Sequence, residues 1–193
     1  MHAHDAALHA FPPVLAATLH GLARAPGSWI RSPFCSALSA ARRRLAADLT
    51  ALIAAGLAPF YRAHARLLYP RLRDPAAWPR CKRAELLDPA ALHILYRDSD
   101  ARLACFISLL LPAPTEAPVL YILELHVAEP FRRRGLAAAL LDAATRTARA
   151  AGLTSLELTV FTANRPALAL YTRAGFRRRR ALHPDLTIMV CRI

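Results

Sequence analysis

Apolar and polar residues recur with two different periods along this chain, and the change from one period to the other marks out its elements. Val119–Val127 is β-branched and apolar enough to read as a buried strand, whereas Leu136–Ala150 repeats apolar residues at helical spacing. Between them lies the basic turn Arg132-Arg133-Arg134-Gly135. Upstream, Leu38, Leu45, Leu49, Leu52, Ile53 and Leu57 fall on one helical face, with Arg42, Arg43, Arg44 and Asp48 mostly elsewhere. That spacing predicts a helix from Ser36 that ends near Gly56 and Pro59. A shorter helical pattern over 60–69 is closed by Pro70, and Asp74-Pro75 with Trp78-Pro79 reads as loop.

Two β-prone runs, 92–96 and 103–107, flank the polar turn Asp98-Ser99-Asp100 and predict a hairpin. Pro112, Pro114 and Pro118 then predict a connection, because proline cannot donate to a sheet ladder. The run 158–164 reads as a strand followed by a helix near Arg165-Pro166, with Asn164 placed to cap it. Runs over 176–182 and 186–191 can pair as closing strands on either side of His183-Pro184-Asp185. Residues 1–34 mix Ala, His, Pro and Gly without a lasting period, so a mobile or loosely packed lead-in is expected over 1–35, with one domain over 36–193. No internal repeat is visible.

Length and composition support that picture. With 193 residues, 55% of them hydrophobic, the chain suits one domain with a sizeable core. Lys and Arg total 26 against 13 Asp and Glu, a formal charge of +13, and nearly all of the positive charge is arginine. Arginine favours planar, bidentate contact with phosphate or carboxylate, so an anionic partner is implied. Arg42-Arg43-Arg44 and Arg177-Arg178-Arg179-Arg180 lie apart from the glycine turn; they suit RNA, a ribosome surface or acidic lipid, or simply a solvated face. Cys35, Cys81, Cys105 and Cys191 show neither Cys-x-x-Cys nor zinc spacing, which points to a reducing compartment. His2, His4 and His9 are too sparse for a metal site, so no metal is expected. The longest apolar run, 103–111, stops at Pro112, short of the ~20 residues that span a bilayer, so no membrane span is expected. A secretory signal is not expected either, since Asp5 and Pro12-Pro13 interrupt the N-terminus, although the first 47 residues, alanine-rich and arginine-bearing with few acids, also fit a transit peptide.

The basic turn carries the chemistry. A strand, a glycine turn and a helix follow in order, and the first N–H groups of a helix lack intrahelical partners and carry partial positive charge, so an anion is favoured there. Arg132, Gly135 and Ala137 match the pyrophosphate loop of the GNAT acyltransferase superfamily: Arg or Gln, two residues, Gly, one residue, Gly or Ala. Asn164, Ala167, Tyr171, Gly175 and Phe176 match its second signature at the right separation. The chain therefore resembles that superfamily. The resemblance implies a mixed α/β fold, a mostly antiparallel twisted sheet flanked by helices, here with an extra N-terminal helical segment, and acetyl-CoA as co-substrate.

Finer features narrow the likeness. Leu120-Tyr121 ahead of Glu124, the run 158–161 leading to Asn164, and the segment Trp78–Leu86 preceded by a helix look like N-alpha-acetyltransferase D, which acetylates the N-termini of histones H4 and H2A. By this resemblance, which covers 36–193, Glu124 is the general base and Tyr171 donates to the departing thiolate. Backbone N–H groups of Leu125, His126 and Val127 polarise the thioester. Arg132, Arg133, Arg134, Gly135, Leu136, Ala137 and Asn164 hold the cofactor, and Tyr121 and Trp78 lie on the substrate side. The implied setting is cytoplasm and nucleus.

The residues alone leave structural readings beside these. Glu124 could be an ion-paired core residue, Tyr171 a packed helix residue, Trp78 a core or groove-wall residue, and His126 a packing neighbour of Glu124. Strand alternation puts Ile122, Glu124 and His126 on one side and Tyr121, Leu123 and Leu125 on the other, unless a bulge intervenes. The chain also departs from the histone-acetylating pattern: Leu123 replaces an aromatic, and Pro112 and Pro114 stand where acids are expected, leaving Glu116. A different N-terminus is therefore an expected acceptor alongside the histones. Lysine or a small amine is a second, and a non-catalytic module using its arginines on RNA or a ribosome a third.

Overall fold

The computed structural model describes the backbone of residues 27–32 and the whole of residues 40–110 and 118–193. His2, His4, His9, Cys35, Leu38, Pro112, Pro114 and Glu116 lie outside these residues, as does most of the stretch read as a lead-in. In chain order the elements are β1 Gly27–Ser32, α1 Ala40–Ala63, α2 Ala65–Leu68, α3 Trp78–Leu86, β2 Ala91–Asp98, β3 Leu103–Leu110, β4 Val119–Val127, α4 Leu136–Ala150, β5 Ser155–Phe161, α5 Arg165–Arg173, β6 Arg177–His183 and β7 Leu186–Arg192.

The seven strands form one sheet in the order β1-β2-β3-β4-β5-β7-β6. Every pairing is antiparallel except β4 with β5. This is the mixed, mostly antiparallel α/β architecture expected. β1 is an addition: 27–32 pairs along β2 in a region without apolar periodicity, because an edge strand can be held by main-chain hydrogen bonds alone. At the opposite edge, β6 exposes Arg177, Arg178, Arg179 and Arg180, charges that oppose pairing with another chain.

Helices cover both faces. α4 and α5 bury Leu140, Leu141, Ala144, Leu168 and Tyr171 against Ile94, Ile107, Leu120, Ile122 and Leu158. α1 to α3 bury Leu49, Ile53, Tyr61, Trp78 and Leu86 against Leu95, Phe106 and Phe161. Adjacent residues of one strand, such as Ile94 and Leu95, go to opposite cores, as the two-residue period of a strand requires.

Two boundaries differ from expectation. α1 does not stop at Gly56 or Pro59 but continues to Ala63, because Leu49, Ile53 and Tyr61 stay on one buried face and that packing outweighs the donor lost at Pro59. Trp78-Pro79 is not loop: it opens α3, where proline in the first turn removes an N–H that has no partner anyway. The 98–102 hairpin forms as expected, its turn held by the Asp98 carboxylate, which accepts from the N–H groups of Asp100 and Arg102.

Candidate active site

β4 sets the geometry. Its parallel pairing with β5 runs only from Val119↔Ser155 to Ile122↔Leu158, and beyond that point the two strands have no ladder between them. The register against β3 also shifts there, with Ser108 opposite Glu124 and Leu109 opposite Ile122, so Leu123 is an extra residue. The bulge re-aims the rest of the strand. Leu123 packs toward α1–α3, the side from which Tyr61 and Lys82 reach Glu124, whereas Ile122 and Leu125 pack on the α4 side. Strict alternation had Ile122 sharing a side with Glu124; the bulge separates them.

The wedge between the strands opens into a cleft of about 1150 Å³. Its walls include Leu125, His126 and Val127 of β4, Arg132, Arg133, Gly135, Leu136 and Ala137 of the basic turn, and Asn164 and Tyr171. Gly135 occupies the position before α4 with φ of 79°, and no side chain of the described residues caps the helix. The first N–H groups of α4 are thus open to an anion at the cleft wall. Arg133 is also left-handed, at φ of 62°. Arg132 Nε donates to the Val127 carbonyl at 3.2 Å, which ties the turn to the end of β4. Arg134 is held differently: it donates to the Pro130 carbonyl at 2.8 Å, lies over the Phe131 ring, and is not on the cleft wall.

Deeper in the cleft, Glu124 is buried, yet three donors reach its carboxylate. Tyr61 donates its hydroxyl to Oε1 at 2.6 Å, and Lys82 Nζ lies 2.7 Å from the same oxygen. His126 donates from Nε2 to Oε2 at 2.7 Å; a carboxylate only accepts, so that nitrogen carries the proton. With two acceptor positions per oxygen, the described residues leave one open, on Oε2. Burial alone would push the Glu124 pKa up, but the Lys82 charge and the His126 hydrogen bond overcome it and hold the group at about 2. Lys82 is buried too, and its pKa is raised: desolvation opposes its charge, but Glu124, Tyr61 and Glu85 outweigh it. Glu85 supplies the second carboxylate, 2.5 Å from Nζ.

Tyr171 lines the cleft with its ring against Phe176, and its hydroxyl has no hydrogen-bond partner among the described residues. Burial, then the Glu124 charge, raises its pKa, so it stays protonated. Asn164 accepts from the Ala167 N–H at 3.3 Å and caps α5. Two residues assigned to the substrate side are elsewhere. Trp78 is buried and stacked on Tyr61 at 4.5 Å, behind the cleft wall, and Tyr121 turns its hydroxyl to Thr159 at 2.8 Å, off that wall. Tyr61 and Lys82, the partners of Glu124, were not among the sequence candidates. The only signal was the Lys82 to Glu85 spacing on a helix, which says nothing about a strand in another part of the chain. Among the described residues no group of His, Cys, Asp or Glu is arranged to hold a metal, and no helix is long and apolar enough to cross a membrane.

The chain is similar to several known proteins. Mycothiol acetyltransferase of Clavibacter michiganensis subsp. michiganensis (strain NCPPB 382) is 43% identical over 90 residues, 47% of this chain but 28% of that protein's length. The PaiA N-acetyltransferase of Thermoplasma acidophilum, solved with coenzyme A, superposes with a TM-score of 0.57 at 17% identity, over 86% of this chain and 99% of that one. An acetyltransferase from Thermus thermophilus gives 0.56 at 22% identity, over 78% and 92%. Both structures share the fold. The finer resemblance to N-alpha-acetyltransferase D goes beyond what these likenesses show. GNAT acetyltransferases use acetyl-CoA, and the uncapped α4 terminus, the adjoining arginines and the unpaired edge of β4 suit its diphosphate and its extended arm. Residues 57–176, more than half of the 193, match the family model for acetyltransferases of the GNAT type, so the chain belongs to the acetyltransferase (GNAT) family.

Proposed function

We propose that this protein transfers an acetyl group from acetyl-CoA to the α-amine at the start of a polypeptide. The observation that carries this reading is the state of Glu124. The Lys82 charge and the His126 hydrogen bond keep this buried carboxylate ionised, and with donors already on both oxygens it is suited to accept an N–H from an amine that arrives neutral. A lysine side chain, with a reference pKa of about 10.4, stays protonated near neutrality, whereas an α-amine, at about 7.7 to 8.0, loses its proton to solvent there.

Acetyl-CoA supplies an activated thioester that a neutral amine can attack. Arg132, Arg133 and the first turn of α4 hold its diphosphate, and the free edge of β4 offers main-chain N–H groups to the acyl oxygen. Glu124 accepts an N–H of the amine at its open Oε2 position, orients the lone pair, and stabilises the positive charge that develops on nitrogen; water then carries the proton away. Tyr171, protonated and without another partner among the described residues, is the donor for the departing sulfur.

Incubation with labelled acetyl-CoA and a panel of peptides, Ser-Gly-Arg-Gly among them, tests the reading: transfer to N-termini is expected, and Glu124→Gln should lower kcat by about 10² or more. Absence of transfer to every peptide removes it. A second reading, a small-molecule amine as acceptor, draws on the match to mycothiol acetyltransferase and predicts preference for such acceptors over peptides.

A further inference from the structure

α1 crosses the open end of the wedge, and what it presents there has a consistent chemistry. Its Gly56 lies against the Arg132 guanidinium, with a Cβ at that position 3.7 Å away, while Tyr61, just over one turn later, reaches Glu124. Leu57 and Phe60 lie on the same stretch, with Leu57 three and four residues before Phe60 and Tyr61 and hence on one helical face. Phe161, at the end of β5, stacks on Phe60 at 5.3 Å and meets Tyr61 edge-on at 5.5 Å. Leu57, Phe60, Leu123 and Phe161 all line the cleft. Leu57, Phe60 and Leu123 are only half-buried, so part of this apolar wall still faces open space beside the carboxylate.

Carboxylate partners are missing from the same wall. Besides Glu124, the only acid lining the cleft among the described residues is Asp142, on α4, and it is paired with Arg146 at 2.6 Å. Glu124 has one acceptor position left, which the amine itself occupies. A basic side chain next to the amine would find no carboxylate, and an acidic one would meet Glu124.

We infer that the trough formed by Leu57, Phe60, Leu123 and Phe161 receives an apolar first side chain of the acceptor, so the enzyme acts on N-termini that begin with residues such as Leu, Met or Phe. This rests on the peptide-acceptor reading above and goes beyond it by naming the first residue. Full burial of one such side chain corresponds to a preference over Ser of about ten- to a hundred-fold in kcat/KM.

The test measures kcat/KM for peptides that differ only in their first residue: Leu, Met, Phe, Ser, Lys and Asp. Leu, Met and Phe should lead, with Lys and Asp last. Phe60→Ala should shrink the Leu-over-Ser ratio about tenfold, while Phe60→Leu, which keeps apolar volume, should largely preserve it. Preference for Ser-Gly-Arg-Gly, or a Leu-over-Ser ratio that Phe60→Ala leaves unchanged, overturns the inference and leaves the peptide-acceptor reading standing. If no peptide is acetylated while small amines are, that reading falls and this inference with it.

Discussion

Lys82 Nζ sits 2.7 Å from Glu124 Oε1, an ion pair in which both side chains are about 5% exposed. Each buried charge is offset chiefly by the other, with Glu85 supporting Lys82 and His126 and Tyr61 supporting Glu124, so deleting one partner should be costly. Lys82→Met is expected to lose roughly 3–5 kcal/mol of stability, and the double variant Lys82→Met/Glu124→Leu to recover much of it, as read by denaturant unfolding.

The same pair sets an acid limit. Glu124 has a pKa of about 2 in the folded protein against an ordinary 4.5, so the unfolded chain takes up its proton first as pH falls. The stability it contributes is complete above about 4.5 and is lost as pH drops toward 2. Unfolding midpoints of the wild type measured across that window should decline, and Glu124→Gln should flatten the decline.

His93 works in the same direction at higher pH. Its Nε2 lies 2.7 Å from the Leu86 carbonyl, which only accepts, so Nε2 bears the proton and Nδ1 takes the Ser108 hydroxyl at 2.7 Å. Burial lowers its pKa below the usual 6.5, and the Arg42 charge adds to this against the Leu86 hydrogen bond. A neutral buried imidazole stabilises above that ordinary value and loses its contribution as pH falls through the lowered one. NMR titration of His93 should show protonation displaced to lower pH than in a denatured sample.

Tyr171 separates chemistry from packing. Its hydroxyl has no partner among the described residues, so Tyr171→Phe should leave the unfolding midpoint nearly unchanged. If the hydroxyl protonates the leaving thiolate, kcat should fall about 10² or more while the KM for acetyl-CoA holds. Steady-state kinetics beside a thermal melt reads both.

Gly135 gives the corresponding test of the cofactor loop. A Cβ there meets nothing within 4 Å, but φ of 79° is unfavourable for any side chain, so Gly135→Ala should cost about 1–2 kcal/mol without a clash. Re-aiming the α4 terminus should also weaken acetyl-CoA binding, which calorimetry measures.

What the sequence determined by itself is local. Apolar periodicity set out the strand before the basic turn and the helix after it; the residue order Asn164-Arg165-Pro166 specified the α5 cap; and Asp98 marked the hairpin turn. These features depend on neighbours within a few positions, where side-chain preference and hydrogen-bond geometry act directly. The candidate cofactor loop was legible for the same reason, since Arg132 to Ala137 is one contiguous turn.

What only the tertiary structure decided is the company Glu124 keeps. Tyr61 comes from a helix that continues through Pro59, Lys82 from a helix that opens at Trp78-Pro79, and both meet a strand some forty or more residues later. Leu123 decides which face that strand turns toward them, through one unpaired residue. Periodicity cannot report such meetings, because a bulge and a helix continued through proline are held by packing from distant elements. The charge state of a buried carboxylate is then fixed by groups that no local pattern links to it.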